Sequence, residues 1–236
     1  RDNVYDNIQL PAILHAYRAP KQGGDEYYAF NVLSTLLSGG ASSRMNKTLV
    51  DSKQLAVAAQ SVPFFNEDEG LFIALTVANM GVKVETLEES MDSVVNELKL
   101  GLVTEREFQK VKNQITTDLV DSKATMAGIA ESLANNEVYF GDANLINTEL
   151  EKYNKVTRED VLKVAKKYLN KDNRVVLHYL PKPKNNITIK LDESSINELK
   201  NGEIKETFDG SKKLNKKVKV IKSKKNTKSG ASTNDN

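Results

Sequence analysis

The chain contains only two histidines, His15 and His178, and no cysteine in 236 residues. A catalytic zinc takes about three protein ligands, drawn from His, Cys and carboxylates. Two histidines far apart in the chain, neither with a second histidine four residues away, fall short of that set. Each lies in a run of alternating polarity, ILHAY and VVLHY, so each is expected to be a hydrogen-bonded, half-buried strand residue. The lack of cysteine excludes disulfides, thiolate metal sites and cysteine nucleophiles. It does not by itself separate cytoplasm from periplasm.

Other residues that could do chemistry read more simply as structure. Gly39–Gly40 ahead of a Ser-rich turn could cradle an anion at a helix start, but a helix end followed by a turn explains it. Glu67, Asp68 and Glu69 in NEDEG could bind a cation; as a hairpin tip they are expected to be solvated. Glu88 and Glu89 are likewise expected on a polar helix face. There is no G-x-x-x-x-G-K-[ST] loop for nucleotide phosphates.

The elements that would carry these residues follow from periodicity. Ile8–Ala19 reads as a strand entered through Pro11 and stopped by Pro20, with Ile13, His15 and Tyr17 on one face and Ala12, Leu14 and Ala16 on the other. Asp25 is the expected cap of a helix over Glu26–Ser38. Ser42 or Ser43 should cap a short helix through Val50. Leu55–Val62 and Leu71–Ala78 read as an antiparallel hairpin, the second strand apolar on both faces and therefore interior. Leu87, Met91, Val94, Val95 and Leu98 mark an amphipathic helix. Thr104 and Glu107 have capping-box spacing and open a long helical run, with a kink, to Tyr139 and Gly141. Helices over Asn144–Tyr153 and from Thr157–Asp160 follow, then a last strand, Arg174–Leu180. This order predicts an α+β layer fold: a mostly antiparallel sheet covered by helices on one face.

Apolar content of 39% and charged content of 28% fit a globular body. The longest apolar run, Leu71–Ala78, is too short to span a membrane. Because the first residue is Arg1, the chain is expected to be a processed product or a fragment, with room upstream for a leader or a whole domain. Net charge is +2, yet nine lysines against one acid follow Ser211, leaving about −6 on residues 1–210. Residues 1–183 are expected to form the folded domain and 184–236 a Lys/Asn-rich extension, partly disordered, with short strand candidates at Ile187–Leu191 and Val218–Ile221. That tail lacks interleaved aromatics for base stacking, so nucleic acid is not an expected partner.

Leu10–Pro181 resembles the C-terminal half of the pitrilysin/insulinase-like zinc metallopeptidases, which include the mitochondrial processing peptidases. The resemblance is carried by AYRAPKQGGDEYYAFNVLSTLLSGGASSRMNKTLV, KQLAVAAQS, GLFIALTVANMGVKVETLEESM, VTEREFQKVKNQI and YFGDANLINTELEKYNKVTREDVLKVAKKYL. In such proteins two halves close like a clamshell around an unfolded peptide. The zinc sits on an H-x-x-E-H helix of the N-terminal half, a motif absent here. The other half often supplies an arginine and, seven residues later, a tyrosine that help hold the substrate carbonyl. Aligned through TLVDSKQLAV, those positions are Val50 and Val57, and valine donates no hydrogen bond.

The resemblance thus implies a non-catalytic domain forming one wall of a peptide chamber, with no catalytic or metal-binding residue of its own. Val50, Val57, Ala58 and Ala59, at and after the aligned pair, are the candidate substrate-binding residues, on the strand Leu55–Val62. The implied partners are an N-terminal zinc-bearing half or a partner subunit, and an unfolded peptide substrate. Zinc is expected in that catalytic half and no cofactor in this chain. The rival reading is a non-enzymatic assembly subunit on the same scaffold; a weaker one makes the basic tail a polyanion-binding module.

Overall fold

A computed structural model describes residues 1–183. Strands β1 (Asp2–Asp6), β2 (Ala12–Ala19), β3 (Ala56–Phe64), β4 (Gly70–Ala78) and β5 (Arg174–Pro181) form one sheet in the order β1-β5-β2-β4-β3. β1 runs parallel to β5, and the other neighbouring pairs are antiparallel. The helices are α1 (Tyr27–Ser38), α2 (Val84–Leu100), α3 (Glu105–Ser122), α4 (Met126–Phe140), α5 (Leu145–Lys155) and α6 (Arg158–Tyr168). This is the α+β arrangement the sequence implies.

The period-two alternation decides which sheet face is covered. On β2, Ile13, His15, Tyr17 and Ala19 are buried while Ala12, Leu14 and Ala16 are only half-buried and Arg18 is exposed. β4 repeats this: Phe72, Ala74, Thr76 and Ala78 are buried, and Ile73, Leu75 and Val77 are half-buried. Helix α1 is apolar over most of its surface and fills the space between β3 and the other helices. Its Phe30 is fully buried, edge-on to Phe72 and Tyr168 at 5.3 Å between ring centroids. Leu87, Met91, Val94, Val95 and Leu98 of α2 are all buried, as the spacing predicts. None of the described elements covers the opposite face of the sheet, where Val62, Phe64, Leu71 and Val175 are 43–55% exposed.

Several local expectations change. Periodicity does not predict β1: DNVYD is mostly polar and exposed, and it becomes a strand only through the β5 edge it pairs with. Asp25 does not cap α1, which starts at Tyr27 with no side-chain cap. The short helix after Gly40 is wide: residues Asn46–Ser52 take π-helical turns, closed by Lys53 N–H to the Thr48 carbonyl at 3.0 Å, without a serine cap. Thr104 does cap α3, accepting from Glu107 N–H at 3.3 Å, but the Glu107 carboxylate turns to Arg44 instead of completing the box. The kink is a full break after Ser122, with Thr125 capping α4 and Gly141, at φ 67°, closing it. The extension and its strand candidates lie outside the described residues.

Phe30 has no room to be replaced by a smaller side chain without a cavity. Phe30→Ala should lower unfolding stability by about 3–5 kcal/mol, seen as a lower urea midpoint at unchanged slope.

Candidate functional site

The segment between α1 and β4 positions the four sequence-derived residues. Val50 lies in the π-helical turns, half-buried and packed against the core. The next residues turn through Gln54, whose φ of 52° is the only positive value outside glycine among the described residues. β3 then begins with a β-bulge: Ala56 pairs with Ala78 and Ala58 with Val77, so Val57 is the extra residue. The bulge leaves Val57 and Ala58 both directed away from the core, Val57 48% exposed, while Ala59 is buried beneath the sheet. Val57 and Ala58 therefore present side chains outward, and Ala59 presents only backbone. Because β3 is the last strand in the order, its outer edge has no neighbouring strand among the described residues. None of these side chains can donate a hydrogen bond or titrate, so the four side chains can shape and align a ligand but cannot themselves polarise one.

The titratable groups gather elsewhere. Glu88 and Asp92, four residues apart on α2, face Arg174 and His178, four apart on β5, with His15 and Tyr17 of β2 beside them. Asp92 is chelated by Arg174, through Nη1 and, at 3.1 Å, through Nη2, and takes a further bond from Lys171 at 2.9 Å. Glu88 accepts from Arg1 at 2.6 and 2.7 Å and lies 2.7 Å from His178 Nε2. The expectation that Glu88 lies on a solvated face is overturned: it is 6% exposed, because Arg1 and His178 supply the partners that water would. The two histidines, distant in sequence, meet around this one carboxylate.

Protonation follows from these contacts. Burial pushes His15 down to about 4, reinforced by repulsion from Arg174. Arg174 Nη1 lies 3.2 Å from His15 Nδ1, so Nδ1 accepts and the proton sits on Nε2, which has no hydrogen-bond partner and lies 3.8 Å from Glu88. Burial works against charge on both carboxylates, yet hydrogen bonds from Arg174 and Lys171 hold Asp92 below its ordinary value, and those from Arg1 and His178 do so for Glu88. These residues do not fit a zinc ion. Both carboxylates are occupied by guanidinium groups, and among the described residues no three His, Asp or Glu side chains are placed to hold a metal.

Comparison with known proteins agrees with this picture. Residues 3–115 match the family model described as the peptidase M16 inactive domain. The chain is 31% identical over 137 residues to "Zinc protease PqqE" of Helicobacter pylori, covering 56% of this chain and 31% of that protein. It is 26% identical over 178 residues to "Cytochrome b-c1 complex subunit 2, mitochondrial" of Mus musculus, covering 72% and 39%. The crystal structure of a protease from Helicobacter pylori superimposes with a TM-score of 0.69 at 23% identity, over 76% of this chain and 44% of that one. Residues 3–115 thus match the inactive domain of the M16 peptidases, in line with the resemblance to the pitrilysin/insulinase-like enzymes. The chain spans about a third of the length of the curated relatives it matches.

Breaking the buried pair by Arg174→Met should cost about 3–5 kcal/mol, because Asp92 stays buried and charged; Lys171→Ala, on an exposed partner, should stay within about 1 kcal/mol. The depressed His15 makes the folded state favour neutral imidazole. That stability is complete above about pH 6.5 and is lost as pH falls toward 4. The carboxylates, also depressed, lose theirs only below their own ordinary values. In thermal melts across pH 7 to 4, His15→Gln should therefore delay the acid-side decline to below about pH 4.5.

Proposed function

We propose that this domain is the non-catalytic wall of a zinc metallopeptidase chamber. An upstream half or a partner subunit supplies zinc and its ligands, and an unfolded peptide is held between the two. The observation that carries the reading is the head of β3. Where the resemblance places a hydrogen-bonding pair, Val50 and Val57 stand instead, and the bulge nevertheless holds Val57 and Ala58 outward. Main-chain groups and small side chains there can pass an extended peptide without acting on its carbonyl. The open apolar face beside β3 supports the same reading, since contiguous exposed apolar surface marks contact with another polypeptide.

The test is made in the assembly of this domain with its zinc-bearing half. Val57→Trp should reduce cleavage of an unfolded peptide by about tenfold or more through misplaced substrate, with the fold intact by circular dichroism. Unchanged peptide binding and cleavage would overturn the chamber-wall reading. The chain 1–236 alone should show no zinc-dependent peptidase activity; stoichiometric zinc with chelator-sensitive cleavage would refute that.

The second reading, a non-enzymatic assembly subunit, is favoured by the likeness to a mouse cytochrome b-c1 complex subunit. An H-x-x-E-H motif upstream of Arg1 or in a co-encoded partner selects the peptidase. Its absence from both selects the assembly role.

A further inference from the structure

Among the described residues β3 is an edge strand, and an edge strand offers unpaired N–H and C=O groups to any extended chain that can reach them. In an antiparallel ladder, alternate residues point these groups outward. Ser61 is one of them. Its N–H does not bond to β4 but donates to the Ser38 hydroxyl at 2.7 Å, and its carbonyl accepts from the same hydroxyl at 3.1 Å. The Ser61 side chain is 2.7 Å from Ser38 Oγ as well. Ser38 is the last residue of α1, so the end of the helix is clasped onto the strand edge. Two residues further on, Pro63 faces the same side and has no N–H to offer. Two residues back lies Ala59, beside the Val57 bulge. Among the described residues no hydrogen bond outside the ladder engages its backbone.

We infer that Ser38 is a stop for strand addition on β3: an extended chain pairs with the edge at Ala59 and cannot continue past Ser61. A peptide held by one register at the bulge must turn away from the sheet where the clasp begins. The edge then recognises extended backbone of any sequence, over a short length, and cannot zip with a second copy of itself. This rests on the reading of β3 as a peptide-facing strand and adds the limit to it.

Backbone hydrogen exchange on the full 236-residue chain tests it, with a soluble twelve-residue Val/Thr-rich peptide as probe. In the free chain the Ser61 amide should exchange slowly despite lying on an edge. Ser38→Ala should speed it at least tenfold, while Ser38→Thr, which keeps the hydroxyl, should restore protection. The probe should slow Ala59 in the wild-type chain without further slowing Ser61, and in Ser38→Ala its protection should spread to Ser61. Probe protection reaching Ser61 with the clasp intact, an unchanged Ser61 rate in Ser38→Ala, or no protection of Ala59 would each overturn the inference. Any of these together with reduced cleavage by Val57→Trp would leave the chamber-wall reading standing; unchanged cleavage would remove that reading separately.

Discussion

The structure depends on one buried match of charge: Asp92 of α2 against Arg174 of β5. Carboxylates four apart on a helix share a face, and residues four apart on a strand do too. Glu88 and Asp92 can therefore meet His178 and Arg174 simultaneously, but only in one register. Sliding β5 by one residue would turn Arg174 and His178 to the open face and leave two carboxylates buried without partners. Such a pair adds little net stability over an apolar packing of the same shape, and its effect is on which packing is allowed. Arg1 extends the match to the other end of the chain. By holding Glu88 it fixes β1, a strand with almost no apolar surface of its own, beside β5.

Covering the sheet on one face only has consequences for what the domain can do. The cluster of Glu88, Asp92, His15, His178 and Arg174 lies on the covered side, with both carboxylates held in pairs. The uncovered side carries Leu14, Ala16, Ile73, Leu75 and the more exposed Val62 and Phe64, which offer shape and apolar area, and on the same face of β2 Arg18, paired to Glu69. The buried ionic cluster is thus kept apart from the open face, which is mainly apolar.

The sequence made the covered face legible because burial and period coincide: β2, the β3–β4 hairpin, α2 and α6 follow directly from apolar spacing. β1 was not legible, because its strand state comes from the β5 edge and not from its own residues. Val50 in the π-helical turns and Val57, Ala58 and Ala59 at the head of β3 are reachable only through alignment, and the bulge that separates outward Val57 and Ala58 from inward Ala59 has no signature in a run of small residues. The burial of Glu88 escapes the sequence pattern for a related reason. Periodicity places a charged residue by its neighbours on the helix, and the partners that let it be buried, Arg1 and His178, lie 87 and 90 residues away in sequence.

Two histidines and two carboxylates within reach of one another invite comparison with a degenerate metal site, and electrostatics argues against it. A divalent cation at Glu88 would sit close to the Arg1 and Arg174 guanidinium groups, both of which stay charged at any relevant pH. It would also have to displace the bidentate hydrogen bonds from Arg1, which already neutralise the carboxylate. His15 offers only a protonated Nε2 toward Glu88, since its other nitrogen is taken by Arg174. Freeing a lone pair for a metal would turn that proton against the guanidinium. The same arrangement that makes the cluster a poor metal site makes it a firm lock: every negative charge already has a positive partner, and the one unpaired group, His15 Nε2, is neutral.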